Sequence, residues 1–131
     1  MKLVGSVLVV AASASLACSS TFAPDQSVIL GVSKLDAPSA VSSAQAINLV
    51  LSVELGGCLR FDRIEINRDA SGANLTAWGK DISIGRKGIT CTSELKIEPH
   101  SISLQPPFQN PFTVMVQQGR LAPLVVTVQV N

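Results

Sequence analysis

The most regular pattern in the chain lies between Ile47 and Leu55. There Ile47, Leu49, Leu51, Val53 and Leu55 alternate with Asn48, Val50, Ser52 and Glu54. A period of two puts the first set on one face and predicts a half-buried strand. Gly56-Gly57 closes it as a turn. Cys58 to Arg68 predicts the next strand, but its alternation slips: Leu59 and Phe61 share one parity, Ile64 and Ile66 the other. A bulge near Asp62-Arg63 brings Phe61, Ile64 and Ile66 onto one core face. Asp69-Ala70-Ser71-Gly72 reads as a turn and Ala73 to Lys80 as the return strand. With Arg68 opposite Ala73, Ile66 faces Leu75 and Ile64 faces Ala77, apolar against apolar. On the other face Glu65 meets Thr76, and Arg63 meets Trp78 in a cation–π geometry.

The remaining segments are shorter. Ser27 to Ser33 predicts an edge strand closed by Lys34 and Asp36-Ala37-Pro38, and Ser39 to Ala44 a polar loop. Asp81 to Gly88 is irregular, and Thr90 to Ile97 extends briefly before Pro99. Ser101 to Leu104 places Ile102 and Leu104 on one face. Pro106-Pro107 and Asn110-Pro111 bracket a loop, after which Phe112, Val114 and Val116 alternate. Gly119-Arg120 turns the chain into a last strand carrying Leu124, Val126, Val128 and Val130. No segment has a helical period. About seven strands at this spacing predict an all-β chain folded as a β-sandwich.

The N-terminus follows a different logic. Lys2 is followed by an apolar run from Leu3 to Ala12 and then by small residues, the layout of a signal peptide over residues 1–17. The run is about ten residues, half of what a bilayer-spanning helix needs. Export is therefore expected. Ser15-Leu16-Ala17-Cys18 resembles a bacterial lipobox, in which the cysteine is acylated and becomes the new N-terminus; Ser15 stands where that motif usually carries an aliphatic residue. Three cysteines in an exported chain leave one unpaired. Acylation of Cys18 closes the count, with Cys58 and Cys91 joined as one disulfide. The alternative is ordinary cleavage, a free Cys18 and a simply secreted soluble domain. On the lipid reading, residues 18–26 are a polar tether, residues 27–131 the β-sandwich domain, and the location is the bacterial cell envelope. Ser19 after the cysteine points to the outer membrane where a second membrane exists. In the chain-entropy view a disulfide closing the loop from Cys58 to Cys91 contributes about 3.8 kcal/mol.

Composition and charge narrow the partners. A formal net charge of +1 offers no basic excess to neutralise phosphates, so nucleic acid is not an expected partner. With a lipid at Cys18 the membrane is one partner, and an unidentified envelope protein or glycan the other.

Gly57-Cys58, Phe61-Asp62-Arg63-Ile64, Cys91-Thr92 with Glu94, a Pro-rich turn and Phe112-Thr113-Val114 together resemble a group of small exported bacterial lipoproteins. The likeness covers roughly Ile47 to Val116. It implies an immunoglobulin-like or fibronectin-III-like sandwich at the envelope, with no defined activity. Such domains often carry Gly-x-Tyr before the penultimate strand, where this chain has Asn110-Pro111-Phe112.

No catalytic constellation emerges, and no cofactor is expected. His100, the single histidine, reads as an exposed loop residue beside Pro99. Asn67 to Gly72 imitates the opening of a calcium loop, but Trp78 stands where a bidentate Glu is required. Ser93-Glu94-Leu95-Lys96 has the S-x-x-K spacing without the companion motifs of that chemistry. Asn110-Pro111-Phe112-Thr113 resembles the Asn-Pro-x-Thr loop of chagasin-type cysteine-protease inhibitors. That implies an inhibitory alternative, although the accompanying Gly-rich loop is absent. The expectation is a non-enzymatic binding or structural module, with Arg63 and Trp78 as its candidate contact surface.

Overall fold

In the computed structural model, which describes residues 26–131, the chain runs through nine strands and no helix. They are β1 (Gln26–Ile29), β2 (Val32–Asp36), β3 (Ala40–Val41), β4 (Ile47–Leu55), β5 (Leu59–Arg68), β6 (Gly72–Asp81), β7 (Lys96–Leu104), β8 (Phe112–Gln118) and β9 (Leu121–Val130). The larger sheet follows the order β1-β6-β8-β9-β3, with β5 also paired to β6, and the smaller follows β2-β4-β7. The signal-peptide segment and Cys18 lie outside the described residues.

The alternation in β4 becomes the middle of the smaller sheet. Its five apolar positions are buried, as are Ala73, Leu75 and Ala77 of β6 and Phe112, Val114 and Val116 of β8. These residues of both sheets form one core, joined by Val128 and Val130. Each large aliphatic side chain removed from water there contributes about 1.5–3 kcal/mol, so packing of the two sheets dominates stability.

The β5–β6 hairpin has the expected register. Arg68 pairs with Ala73, Ile66 with Leu75, Ile64 with Ala77 and Arg63 with Trp78, and the register shifts between Phe61 and Arg63. The extra residue there brings Phe61 and Ile64 to the core, against which both pack. Ile66 departs from expectation: it is 41% exposed. It sits near the hairpin end of β5, an edge strand paired only to β6, whereas its partner Leu75 is flanked by β5 on one side and β8 on the other and is buried.

Three further departures concern strand number and continuity. The segment expected as a single edge strand is two, β1 in the larger sheet and β2 in the smaller. Gln26, assigned above to the tether, already belongs to β1. The crossing occupies two adjacent residues: the Leu30 amide donates to Ala77 at 2.8 Å, and the Gly31 carbonyl accepts from Glu54 at 2.9 Å. Second, the polar loop after Pro38 contains β3, a two-residue strand parallel to β9. These additions raise the count from about seven to nine. Third, Pro99 does not end a strand. It lies inside β7, opposite Ser52, on an edge of the smaller sheet where a missing amide hydrogen is tolerated.

At the other end of the hairpin, Arg68 donates to the carbonyls of Gln105 and Pro107 and lies over the Phe108 ring at 5.0 Å. Gln109 donates its amide to the Ala70 carbonyl at 2.7 Å. The hairpin tip and the Pro-rich loop therefore hold each other.

Gly79 marks where the sheet crossing is tightest. A Cβ on Gly79 would lie 2.7 Å from the Arg60 carbonyl oxygen and 2.7 Å from Leu30 Cγ. Gly79→Ala is expected to destabilise by about 1–3 kcal/mol through overpacking, seen as a lower urea midpoint with unchanged m.

Candidate functional site

The region around the cysteines is built by two close approaches. Cys58 and Cys91 form a disulfide with Cα atoms 5.1 Å apart. One residue earlier, Gly57 presses against Thr92: a Cβ on Gly57 would lie 2.6 Å from the Thr92 amide nitrogen and would also strike its carbonyl oxygen. Only glycine permits that approach. The Ile82 amide donates to the Cys58 carbonyl at 3.1 Å. Segment 82–95, which has no strand of its own, is thus pinned near both ends beside the start of β5.

Outward from β5 and β6, the Arg63 guanidinium carbon lies 5.6 Å from the centre of the Trp78 ring. Arg63 also pairs with Asp62 at 2.5 Å. Trp78 is half-buried, beside Ile29 of β1, and its indole N–H has no acceptor among the described residues. This pair sets one cation over one large ring on the outward face of the hairpin.

A cleft of about 820 Å³ opens on the inner side of the same end, between the start of β5 and residues 92–98. Leu55, Leu59, Phe61, Leu95 and Ile97 give it apolar walls, and Arg60, Glu94, Lys96 and Glu98 give it a charged rim. His100 stands next to it and corrects the expectation of an exposed loop residue. It is on β7, opposite buried Leu51, with its ring stacked on Phe61 at 3.8 Å between centroids. Its side chain is 22% exposed. The physical reason is register: Leu104, Ile102, His100, Glu98 and Lys96 pair in turn with the core-facing residues of β4, so all five point inward. His100 Nε2 lies 3.3 Å from Glu98 Oε1, outside hydrogen-bonding alignment, and Lys96 Nζ lies 3.1 Å from Glu98 Oε2. Lys96, and to a smaller degree His100, hold the Glu98 carboxyl below its usual range against the opposing effect of burial. The continuous inward parity from Leu104 to Glu98 was the available signal, hidden by reading Pro99 as a break.

The other candidate groups have structural partners. Asp69 Oδ1 accepts from the Ser71 hydroxyl at 2.6 Å, the Ser71 amide at 2.8 Å and the Gly72 amide at 3.0 Å. Those donors hold its carboxyl below the ordinary value and make the calcium-like stretch a hairpin turn. Asp81 is held down in the same way, first by the Ser83 hydroxyl at 2.5 Å and then by the Ser83 amide at 2.9 Å. Asn110 Oδ1 accepts the Val130 amide at 3.0 Å, and Phe112 is fully buried. In the S-x-x-K stretch, Ser93 is exposed outside any strand, and the Lys96 ammonium pairs with Glu98. Among the described residues, no three His, Cys, Asp or Glu side chains are grouped as a metal site requires. What the region can do is present an apolar cleft on the inner face and a cation–aromatic pair on the outer one.

No protein-family model matches the chain, and no curated protein or solved structure matches it.

Two outcomes follow. Replacing Cys58 and Cys91 together by Ala removes the cross-link and is expected to cost roughly 2–5 kcal/mol in a chemical-denaturation series. Asp69, Asp81 and Glu98 all have carboxyls depressed in the folded state. Their contribution is therefore complete above the unfolded values near pH 4 and is lost as pH falls through the lower folded values. Thermal unfolding should show Tm declining below about pH 4. In Asp81→Asn, Tm should start lower at neutral pH and show a smaller acid-induced decline.

Proposed function

We propose that the protein is a non-enzymatic cell-envelope lipoprotein. Its immunoglobulin-like β-sandwich binds another envelope component, protein or glycan, or holds a structural position there. The pairing of Cys58 with Cys91 carries this reading. Of three cysteines it leaves Cys18, the residue that closes the lipobox-like Ser15-Leu16-Ala17-Cys18. An exported chain with one leftover cysteine at the foot of a signal peptide is what lipid attachment requires.

The fold supports a binding module over a reaction centre. Two sheets share one core, and the first extended segment divides between them, as in an immunoglobulin-like sandwich. The carboxylates of Asp69, Asp81 and Glu98 are engaged by turns or by a neighbouring lysine. Asn110 and Phe112 serve the fold through Val130 and the core, which favours this reading over protease inhibition through that loop. The Arg63–Trp78 pair provides an outward contact surface of the kind that recognises a flat polar or aromatic group.

Metabolic labelling with palmitate tests the anchor. The wild-type chain is expected to label and to fractionate with membranes, and Cys18→Ala to lose both properties. A wild-type chain that never labels and stays in the soluble fraction overturns the lipoprotein assignment.

A further inference from the structure

The charged and apolar residues left on the surface are unevenly distributed, and the start of β1 identifies the end at which they gather. Gln26 and Leu59 both lie opposite Asp81, so the chain arriving from Cys18 enters beside the point where segment 82–95 leaves β6. Gly119, in the β8–β9 turn, comes within 3.9 Å of Ile29 when a Cβ is placed on it. Lys96 and Ile97 pair with Leu55 and Glu54, immediately before the Gly56-Gly57 turn. Segment 82–95, the Gly56-Gly57 turn and the Gly119-Arg120 turn therefore share the end where the tether attaches. The large exposed hydrophobics among the described residues are Ile29, Ile66, Ile89, Leu95, Ile97, Leu121 and Val125. All but Ile66 and Val125 are at this end.

Exposed basic side chains lie on the same strand ends and turns: Arg60, Lys80, Lys87 and Arg120. Of the acids at this end, Glu98 pairs with Lys96, which leaves Glu54, Asp81 and Glu94 as the opposing charges, Asp81 also accepting from Ser83. Apolar side chains accompanied by lysine and arginine suit the boundary between headgroups and acyl chains, where the stems lie along apolar surface and the charges reach phosphate. Reach agrees. Eight residues from Cys18 to Gln26 span at most about 28 Å when extended, and about 16 Å as a flexible coil. A ten-residue strand such as β6 is about 34 Å long, so the hairpin tip stands farther from Gln26 than the tether itself extends.

We propose that the tether-side end, formed by segment 82–95 and the Gly119-Arg120 turn, docks on the anionic phospholipid surface in which the lipid on Cys18 is inserted. The docking rests on the lipoprotein reading above. A short tether holds the face at millimolar effective concentration, so weak intrinsic affinity suffices. The disulfide and the Gly57–Thr92 contact keep the segment in place before it meets lipid.

The test uses the full chain, lipidated in a bacterial host, purified and reconstituted into phosphatidylcholine vesicles with or without phosphatidylglycerol. Amide hydrogen exchange is followed in segments 82–95 and 119–122 and, as reference, in the hairpin tip 69–72. Phosphatidylglycerol is expected to slow exchange at the tether-side segments, with each engaged basic side chain strengthening contact roughly fivefold. The tip should be unchanged. Lys87→Glu combined with Arg120→Glu, both at exposed positions, should restore fast exchange without altering Tm. Labelled protein with equal exchange in both vesicle types, or with protection that survives the double charge reversal, overturns the docking face and leaves the anchor standing. Protein that never takes up palmitate overturns both.

Discussion

The disulfide between Cys58 and Cys91 and the contact between Gly57 and Thr92 act on the same short stretch of backbone. Together they determine where segment 82–95 lies. Without them, that segment would be a long irregular connection between β6 and β7, free to sample many positions and keeping the loop entropy that the constraint removes. With them, it is held against the start of β5, and its exposed residues keep a fixed relation to the first strand. The cleft bounded by Leu59, Phe61 and residues 92–98 opens beside the bridge, which joins its two walls at Cys58 and Cys91. The covalent link is thus less a contribution to the core than a device for shaping one end of it.

How much of this was legible in the sequence depended on whether one strand or two sheets decided the outcome. The β4 alternation, the bulge between Phe61 and Arg63, and the hairpin register were readable because each is set by side-chain parity within a strand or one adjacent pair. Cysteine arithmetic reached the bridge for a similar reason, since few pairings were available. Ile66 was misjudged because its exposure goes with a place on an edge strand, which no local pattern records. The crossing at Leu30-Gly31 went unseen because both halves are short and apolar, and only tertiary pairing separates them. Pro99 and His100 were misread together. A proline normally ends a strand, but at a sheet edge it removes no needed hydrogen bond, and accepting it carries the inward parity through His100 to Glu98.

The inward face of β7 also shows how the fold passes from core to surface. Leu104 is buried, Ile102 and His100 are partly covered, and Lys96 is exposed, all along one side of one strand. The polar members are accommodated by an aromatic stack on Phe61 and by mutual pairing around Glu98 rather than by full burial. Such a gradient leaves the core closed at the hairpin-tip end, where Arg68 and the Pro-rich loop lie, and open at the end near the first strand.

The division of the first strand has a mechanical side. Because β1 runs antiparallel to β6 with its N-terminus at the outer end, a pull on Gln26 along the strand is carried by inter-strand hydrogen bonds that lie across the direction of force. Those bonds share the load in shear, where a hairpin pulled open from one end would lose them one after another. Behind β1, the Leu30-Gly31 crossing transfers the same load to β2 and so to the second sheet. A load applied at Gln26 is therefore shared by both sheets.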